Sequence, residues 1–82
     1  MERFEIGMLA KSKAGHDKDT VYVIYKLDEA YVYLVDGKLK TIEKPKKKKY
    51  KHIQIINKKY DITAADDTAI KGILKKYNRE EA

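Results

Sequence analysis

The chain has 82 residues, and its 19 Lys and Arg against 13 Asp and Glu give a net charge of +6 at pH 7. A chain of this length forms one small domain without room for an internal substrate cavity. The absence of cysteine excludes disulfides and thiolate metal sites and favours a reducing compartment. No stretch has the length and apolarity of a signal peptide or a membrane span, so the sequence predicts a soluble cytoplasmic protein.

The first part of the chain predicts three strands. Residues 6–11 form a short apolar run, and residues 12–19 predict a polar turn. Residues 20–27 alternate with period two, which predicts a half-buried strand. One face of that strand carries Val21, Val23, Tyr25 and Leu27, and the other carries Tyr22 and Lys26. Residues 30–35 (AYVYLV) are apolar throughout, which is typical of a strand covered on both faces.

A hairpin is predicted at Asp36-Gly37, because both central residues of a type I′ turn need positive φ. The returning strand would be residues 39–43, after which Pro45 interrupts ladder pairing. Residues 44–51 then hold six lysines. Charge this dense repels itself and is not buried, so the block is expected to be a solvated loop or a docking surface for a polyanion.

The remainder predicts a fifth strand and a helix. Residues 50–56 alternate, with Ile53 and Ile55 inward and Tyr50, His52 and Gln54 outward. Thr63 to Asp66 resembles a capping box, and a helix of roughly fourteen residues follows. Its apolar stripe is Ile62, Ala69, Ile70, Ile73, Leu74 and Tyr77. A glycine inside this helix, Gly72, is expected to mark a close approach to the sheet.

The short strands could close into a small barrel, which removes exposed edges, with the helix packed on it. An open sheet with one helix is the alternative that the spacing leaves open. The basicity is local: residues 38–59 hold ten Lys and one Glu, a charge of +9, so the rest of the +6 chain sums to −3. Phosphate binding releases counterions where cations are dense, so it is favoured over a solvated loop without a partner.

Residues 7–35 resemble the KOW module, an RNA-binding element of ribosomal proteins and transcription-elongation factors. In that family a basic, glycine-containing loop joins strands of an SH3-like barrel. The continuation at residues 34–53, LVDGKLKTIEKPKKKKYKHI, is similar to small bacterial KOW-domain RNA-binding proteins, which are themselves similar to a large-subunit ribosomal protein of archaea and eukaryotes. The family's glycine at the end of the basic loop falls on Asp19, a residue type that tolerates left-handed φ better than most.

The resemblance implies a mainly β fold: an SH3-like (KOW) barrel of about five strands over residues 1–57, with residues 58–82 forming a linker and the C-terminal amphipathic helix of the same domain. It implies a monomeric, ribosome-associated protein that binds structured RNA, with ribosomal RNA as the expected target. The alternative is a protein-interaction module that docks on a translation or transcription factor. The candidate RNA-binding residues are Lys11, Lys13, His16, Lys18, Lys38, Lys40, Lys44, Lys46, Lys47, Lys48, Lys49, Tyr50, Lys51 and His52.

Two of these candidates have an alternative interpretation that involves no RNA contact. Tyr50 could stack on an unpaired base or pack as a lid on the barrel, and His16 is otherwise an ordinary loop histidine. Lysines act as point charges and do not read base edges as arginine forks do, so shape and backbone recognition is expected.

Other functions have weak support in the sequence. Its two histidines lie 36 positions apart and its single serine has no motif around it, so no metal, cofactor, small-molecule substrate or enzyme activity is predicted. A polybasic membrane anchor would need a lipid chain or an apolar face beside it, and neither is evident. The prediction is therefore a non-enzymatic protein with RNA as its partner.

Overall fold

The computed structural model describes residues 3–81, which form five strands, a short 3₁₀ turn and one C-terminal helix. In chain order these are β1 (Met8–Ser12), β2 (Val21–Leu27), β3 (Tyr31–Val35), β4 (Lys46–Lys49), the 3₁₀ turn (Tyr50–His52), β5 (Ile53–Lys59) and α1 (Asp67–Glu81). The strands form one antiparallel sheet in the order β4-β3-β2-β1-β5. The predicted mainly β domain with a C-terminal helix is confirmed. Over residues 3–81, no helix has the length and apolarity that crossing a membrane requires.

The sheet is strongly curled. Its two edge strands, β4 and β5, are neighbours in the chain and are joined only by the 3₁₀ turn. In a flat sheet, four strand spacings would separate these edges by about 19 Å. The four chain steps from Lys49 to Ile53 span at most about 14 Å. The edges therefore approach each other where the 3₁₀ turn connects them.

The inner face of the curled sheet forms one hydrophobic core. Its buried members are Met8, Ala10, Tyr22, Ile24, Val32, Leu34 and Ile53. No described side chain of α1 belongs to this cluster, so the burial comes from the curvature of the sheet and from the rings of Phe4 and Tyr50, which pack against it. A sheet that covers its own inner face needs no second layer there.

The outer face of the sheet is covered by α1. Ile70 and Leu74 pack with Ile62 against buried side chains of the central strands, and Ile73 and Tyr77 flank them. The predicted helical stripe is confirmed at these positions. Ala69 is exposed, so its assignment to the stripe was wrong. It lies about 100° around the helix from Ile70, which is enough to turn it towards solvent.

The helix begins four residues after the predicted cap. Oδ1 of Asp66 accepts the N–H of Ala69 at 2.9 Å, so Asp66 caps the first turn. Thr63 does not act as the cap, because both its N–H and its hydroxyl donate to Oδ1 of Asp61. The prediction of a capping box at Thr63 is therefore wrong, although the predicted helix length is close to the observed 15 residues.

The turn after β3 does not lead into the predicted returning strand. Oδ1 of Asp36 accepts the N–H groups of Lys38 and Lys40, both at 2.8 Å, and so occupies donors that a ladder would need. Residues 39–43 are consequently irregular, and the strand that pairs with β3 is β4. Gly37 has a positive φ of 79°, but Asp36 does not, so the predicted type I′ turn, which needs positive φ at both residues, is wrong.

The alternation of β2 is interrupted by a bulge between Ile24 and Lys26. Val21, Val23 and Tyr25 share one face of the strand, as predicted, and this face packs against α1. Leu27 lies on the opposite, inner face, so its predicted position with Val21 was wrong. A bulge adds one residue to a strand and reverses the alternation beyond it, and no single residue type in this strand marks its place.

Two glycine substitutions should have opposite effects on stability. A Cβ on Gly37 would overlap the carbonyl oxygen of Asp67 and lie 2.9 Å from the backbone nitrogen of Lys71. Gly37→Ala should therefore lower the free energy of unfolding by at least about 1–3 kcal/mol. Apart from the neighbouring backbone of its own helix, Gly72 has no described atom within 4 Å of the corresponding position, so its predicted approach to the sheet is wrong. Gly72→Ala should raise stability by about 0.5–1 kcal/mol. Urea unfolding of both variants checks this pair, and a stabilised Gly37→Ala would contradict it.

Candidate nucleic-acid interface

The central part of the lysine block, residues 46–49, forms the edge strand β4 and is not a loop. All four residues of β4 are lysines, and their backbones pair with β3 from Leu34↔Lys46 to Tyr31↔Lys49. The predicted solvated loop is therefore wrong. Backbone pairing needs no particular side chain, and lysine stems can lie along the sheet while their ammonium groups reach water. Charged residues, especially lysine, are also a common way of protecting an edge strand from further pairing.

Two of the four lysines turn towards the inner face and share one carboxylate. Lys48 Nζ lies 3.0 Å from Oδ1 of Asp17, and Lys46 Nζ lies 3.4 Å from Oδ2. Lys48 also donates to the carbonyl oxygen of Ala14 at 2.7 Å. The side chains of Lys48 and Asp17 are only 11% and 13% exposed. This ion pair is therefore part of the fold, and Lys48 has little surface left for a ligand.

Asp17 is the centre of a small polar network. Its carboxylate accepts hydrogen bonds from the hydroxyls of Ser12 at 3.0 Å and Tyr22 at 2.8 Å. Burial alone would raise the pKa of Asp17, but the hydrogen bonds from Lys48, Tyr22 and Ser12 outweigh it and hold the pKa well below its usual range. Burial and the bond to this carboxylate raise the pKa of Tyr22. Asp17 is thus charged at neutral pH and fixes the loop to β4.

Asp17 was absent from the predicted site. It lies about thirty positions before its lysine partners in the sequence, and no local pattern distinguishes it from Asp19 two positions later. Only the sheet topology, which brings residues 13–20 over β4, gives Asp17 its role.

The other two lysines of β4 point outward and are exposed. Lys47 Nζ lies 4.3 Å from the ring centroid of Tyr31, which is within cation–π range. Lys49 is exposed and makes no ion pair within the described part of the chain. The same holds for Lys44, just before β4, and for Lys51 in the 3₁₀ turn. These side chains form the freely accessible part of the lysine block.

The basic loop at residues 13–20 lies beside β4 and the 3₁₀ turn. The N–H of Lys13 donates to the carbonyl oxygen of His52 at 2.8 Å, which connects the loop to that turn. Lys13, His16 and Lys18 are exposed, whereas Lys11 is half-buried within β1. Asp19 adopts φ 73°, so the predicted left-handed conformation at this position is confirmed. The structure therefore brings the candidates of this loop together with those of β4.

Two candidate lysines belong to a different neighbourhood. Lys38 and Lys40 lie in the turn after β3, which is connected to α1 by a hydrogen bond from the Ile42 N–H to Oδ1 of Asp67 at 2.9 Å. Among residues 3–81, no hydrogen bond or ion pair joins this turn to the basic loop at 13–20. These lysines extend the charged surface but are not part of the loop–β4 cluster.

The aromatic candidate Tyr50 is used in packing. Its ring meets Phe4 edge to face, with centroids 4.8 Å apart and an angle of 74° between the planes. Its hydroxyl donates to the carbonyl oxygen of Asp28, and its side chain is half-buried. This geometry corresponds to the lid alternative. His52 is also half-buried, and Gln54 is exposed as predicted.

A partly exposed aromatic pair that was not predicted lies on the outer face of β3. Tyr31 and Tyr33 are half-buried and belong to neither core cluster, so the expectation that β3 is covered on both faces is wrong at this end. The helix packs on Val35, at the other end of the strand. Lys26 Nζ lies 5.4 Å from the ring centroid of Tyr33. The sequence shows two tyrosines at alternate positions, but whether their side chains are covered depends on where the helix packs.

Comparison with known proteins adds no family to these observations. No protein-family model matches the chain, and no curated protein matches it. The similarity to KOW-domain proteins stays a prediction from the residues quoted above. Among residues 3–81, His, Asp and Glu side chains nowhere form a group of three that could hold a metal ion.

Proposed function

We propose that this protein binds RNA through a basic surface built from the loop at 13–20, the outer side of β4 and the 3₁₀ turn. The observation that carries the proposal is the placement of β4. A strand of four lysines is fixed at a sheet edge, and its inner pair shares the carboxylate of Asp17 while its outer pair faces solvent. The exposed lysines around it are Lys13, Lys18, Lys44, Lys47, Lys49 and Lys51.

A polyanion suits this surface because its charge is both dense and held in place. Backbone pairing and the loop contacts fix the spacing of the lysines, which lowers the entropic cost of binding successive phosphates. Lysine ammonium groups bind phosphates as point charges and carry little sequence information. The only arginines are Arg3, whose Nε lies 4.0 Å from a carboxylate oxygen of Glu5, and Arg79 on α1. Recognition is therefore of backbone and shape.

The fold we propose is a small SH3-like barrel of the KOW kind. The curled sheet, its self-covered inner core and the left-handed Asp19 at the end of the basic loop support this proposal. Structured RNA, and ribosomal RNA in particular, is the target that the resemblance implies. The curled sheet alone would equally suit a docking module, but an excess of exposed lysines favours a nucleic acid.

A competition experiment tests the proposal. The purified protein is bound to a labelled RNA hairpin with an unpaired flank, and unlabelled RNA hairpin, scrambled RNA or duplex DNA is added at matched phosphate concentration and fixed salt. We expect the folded RNA to compete best, because a fixed lysine surface recognises the shape of the strand as well as its charge. Equal competition by all three would mean a non-selective polyanion surface. No binding to any of them would overturn the proposal and favour docking on an acidic protein.

A further inference from the structure

We infer that the outer face of β3 is a stacking surface on which Tyr31 and Tyr33 hold unpaired bases of the RNA. This inference rests on the proposed RNA binding and names the part of the ligand that this face recognises. Tyr31 and Tyr33 occupy alternate positions of one strand, so their side chains leave the same face about 6.6–6.8 Å apart. Aromatic side chains on an open sheet face are a common platform for single-stranded RNA.

The two rings are partly accessible, and the strand that carries them is held in place by hydrogen bonds. Neither belongs to a core cluster, and both are half-buried. The hydroxyl of Tyr33 donates to Oδ2 of Asp28 at 2.8 Å, which restrains its ring. The other oxygen of Asp28 accepts the N–H groups of Ala30 at 2.9 Å and Tyr31 at 2.6 Å. The strand beneath the rings is paired on both sides, by β2 and β4. Little side-chain or backbone freedom would thus be lost on stacking.

The charges around the rings are mostly positive. Lys47 and Lys26 place their ammonium groups over Tyr31 and Tyr33, and Lys49 pairs directly opposite Tyr31 in the ladder. The hydrogen bond from Tyr33, followed by those from the backbone N–H groups, lowers the pKa of Asp28, so this nearby carboxylate is charged. The carboxylate oxygens of Asp28 already accept hydrogen bonds from those donors, whereas the side chains of the three lysines can rotate towards a ligand.

This arrangement fits a base with its phosphate better than it fits an uncharged peptide. Lysine stems are flexible, so a base can replace each ammonium group on the ring face while the ammonium group moves to the adjoining phosphate. A proline-rich peptide would cover the rings but leave three lysines without partners. The face is also continuous with the proposed phosphate surface, because Lys47 and Lys49 belong to β4. One strand of RNA can therefore contact the outer face of β3 and the phosphate surface together.

The test compares two labelled oligonucleotides with the same number of phosphates, one with adenine at every position and one abasic throughout. We expect the parent protein to bind the base-bearing strand at least about 25-fold more tightly, since stacking one base on a ring contributes about fivefold or more. The variant with Tyr31→Leu and Tyr33→Leu should bind both strands with the parent's affinity for the abasic one. Tyr31→Phe with Tyr33→Phe keeps the rings and should keep the preference. Tyr77→Leu is the matched control, because Tyr77 also lies under a lysine, with Lys58 Nζ 5.7 Å from its ring centroid, but on α1.

The outcomes separate this inference from the proposed function. Equal binding of both strands by the parent would overturn stacking and leave phosphate binding standing. A preference that survives in the double leucine variant would also overturn it, by placing the stacking ring elsewhere. Binding of a proline-rich peptide that is lost in the leucine variant, with no change in RNA affinity, would reassign the face to a peptide. Failure of the parent to bind either strand would remove the proposed function and this inference together.

Discussion

Replacing Asp17 with asparagine should lower the free energy of unfolding by about 1.5–3 kcal/mol, the usual contribution of hydrogen bonds to a charged group. The substitution keeps the shape of the side chain but leaves the ammonium group of Lys48, only 11% exposed, without its counter-charge. It also removes the counter-charge of Lys46 and weakens the acceptor of the Tyr22 hydroxyl. Because the loop and β4 meet at this carboxylate, we expect both to loosen together.

The same network should make the free energy of unfolding depend on pH in the acid range. The pKa of Asp17 in the folded protein lies well below its unfolded value of about 3.9. The contribution of Asp17 is therefore fully present above about pH 5 and is lost as the pH falls below about 4 towards the folded pKa. Asp17→Asn should flatten this loss. Urea unfolding between pH 2 and pH 7 measures it.

A matched control for this prediction lies in the same loop. Asp19→Asn makes the same change of charge at an exposed side chain without an ion pair within the described part of the chain, and asparagine tolerates its φ of 73°. This variant should keep the parent's acid profile. If Asp17→Asn and Asp19→Asn lost stability equally, the network around Asp17 would not contribute as described.

The parts of the fold that could be predicted were those set by local pattern. The alternation of residues 20–27 and the apolar spacing of the C-terminal segment identified β2 and α1, because burial on one face imposes its period on the sequence. The strand in the lysine block could not be predicted, because charge this dense favours a solvated loop or a docking surface. A strand pairs through its backbone, however, and alternate lysines can point to opposite faces, where Asp17 stabilises one set. The predicted strand at residues 39–43 does not form, because the side chain of Asp36 accepts backbone N–H groups of the turn.

The candidate site was predictable in its charge but not in its arrangement. Exposure of Lys44, Lys49 and Lys51 follows from composition alone. The role of Asp17 depends on a contact between residues far apart in sequence, and the packing of Tyr50 depends on where Phe4 lies. Neither contact leaves a local signal. Long-range contacts of this kind are set by topology, which a single sequence specifies only weakly.

Loss of the three exposed lysines Lys44, Lys49 and Lys51 should weaken RNA binding by about 100-fold at 0.1 M salt, since each phosphate contact contributes about 0.7 log units there. These side chains form no ion pair among the described residues, so alanine at all three positions should leave the fold intact. This variant is preferable to removing all four lysines of β4, which would also break the pairs with Asp17. Fluorescence anisotropy with a labelled RNA hairpin measures the affinity.

The control for this variant removes the same charge from the helix. Lys71, Lys75 and Lys76 are exposed on α1 and lie outside the proposed surface. Alanine at these three positions should change the affinity only a few-fold, because charges that make no direct contact are screened over about 10 Å at 0.1 M salt. An equal loss in both triple variants would show that net charge matters and that the position of the lysines does not.

The salt dependence of RNA binding by the unaltered protein tests the phosphate surface most directly. Affinity for one RNA is measured at several salt concentrations, and the logarithm of the association constant is plotted against the logarithm of the salt concentration. If the surface neutralises about five phosphates, the slope is about −3 to −4, and the variant lacking Lys44, Lys49 and Lys51 has a slope smaller by about 2. A slope near zero for the unaltered protein would contradict phosphate binding as the basis of its function.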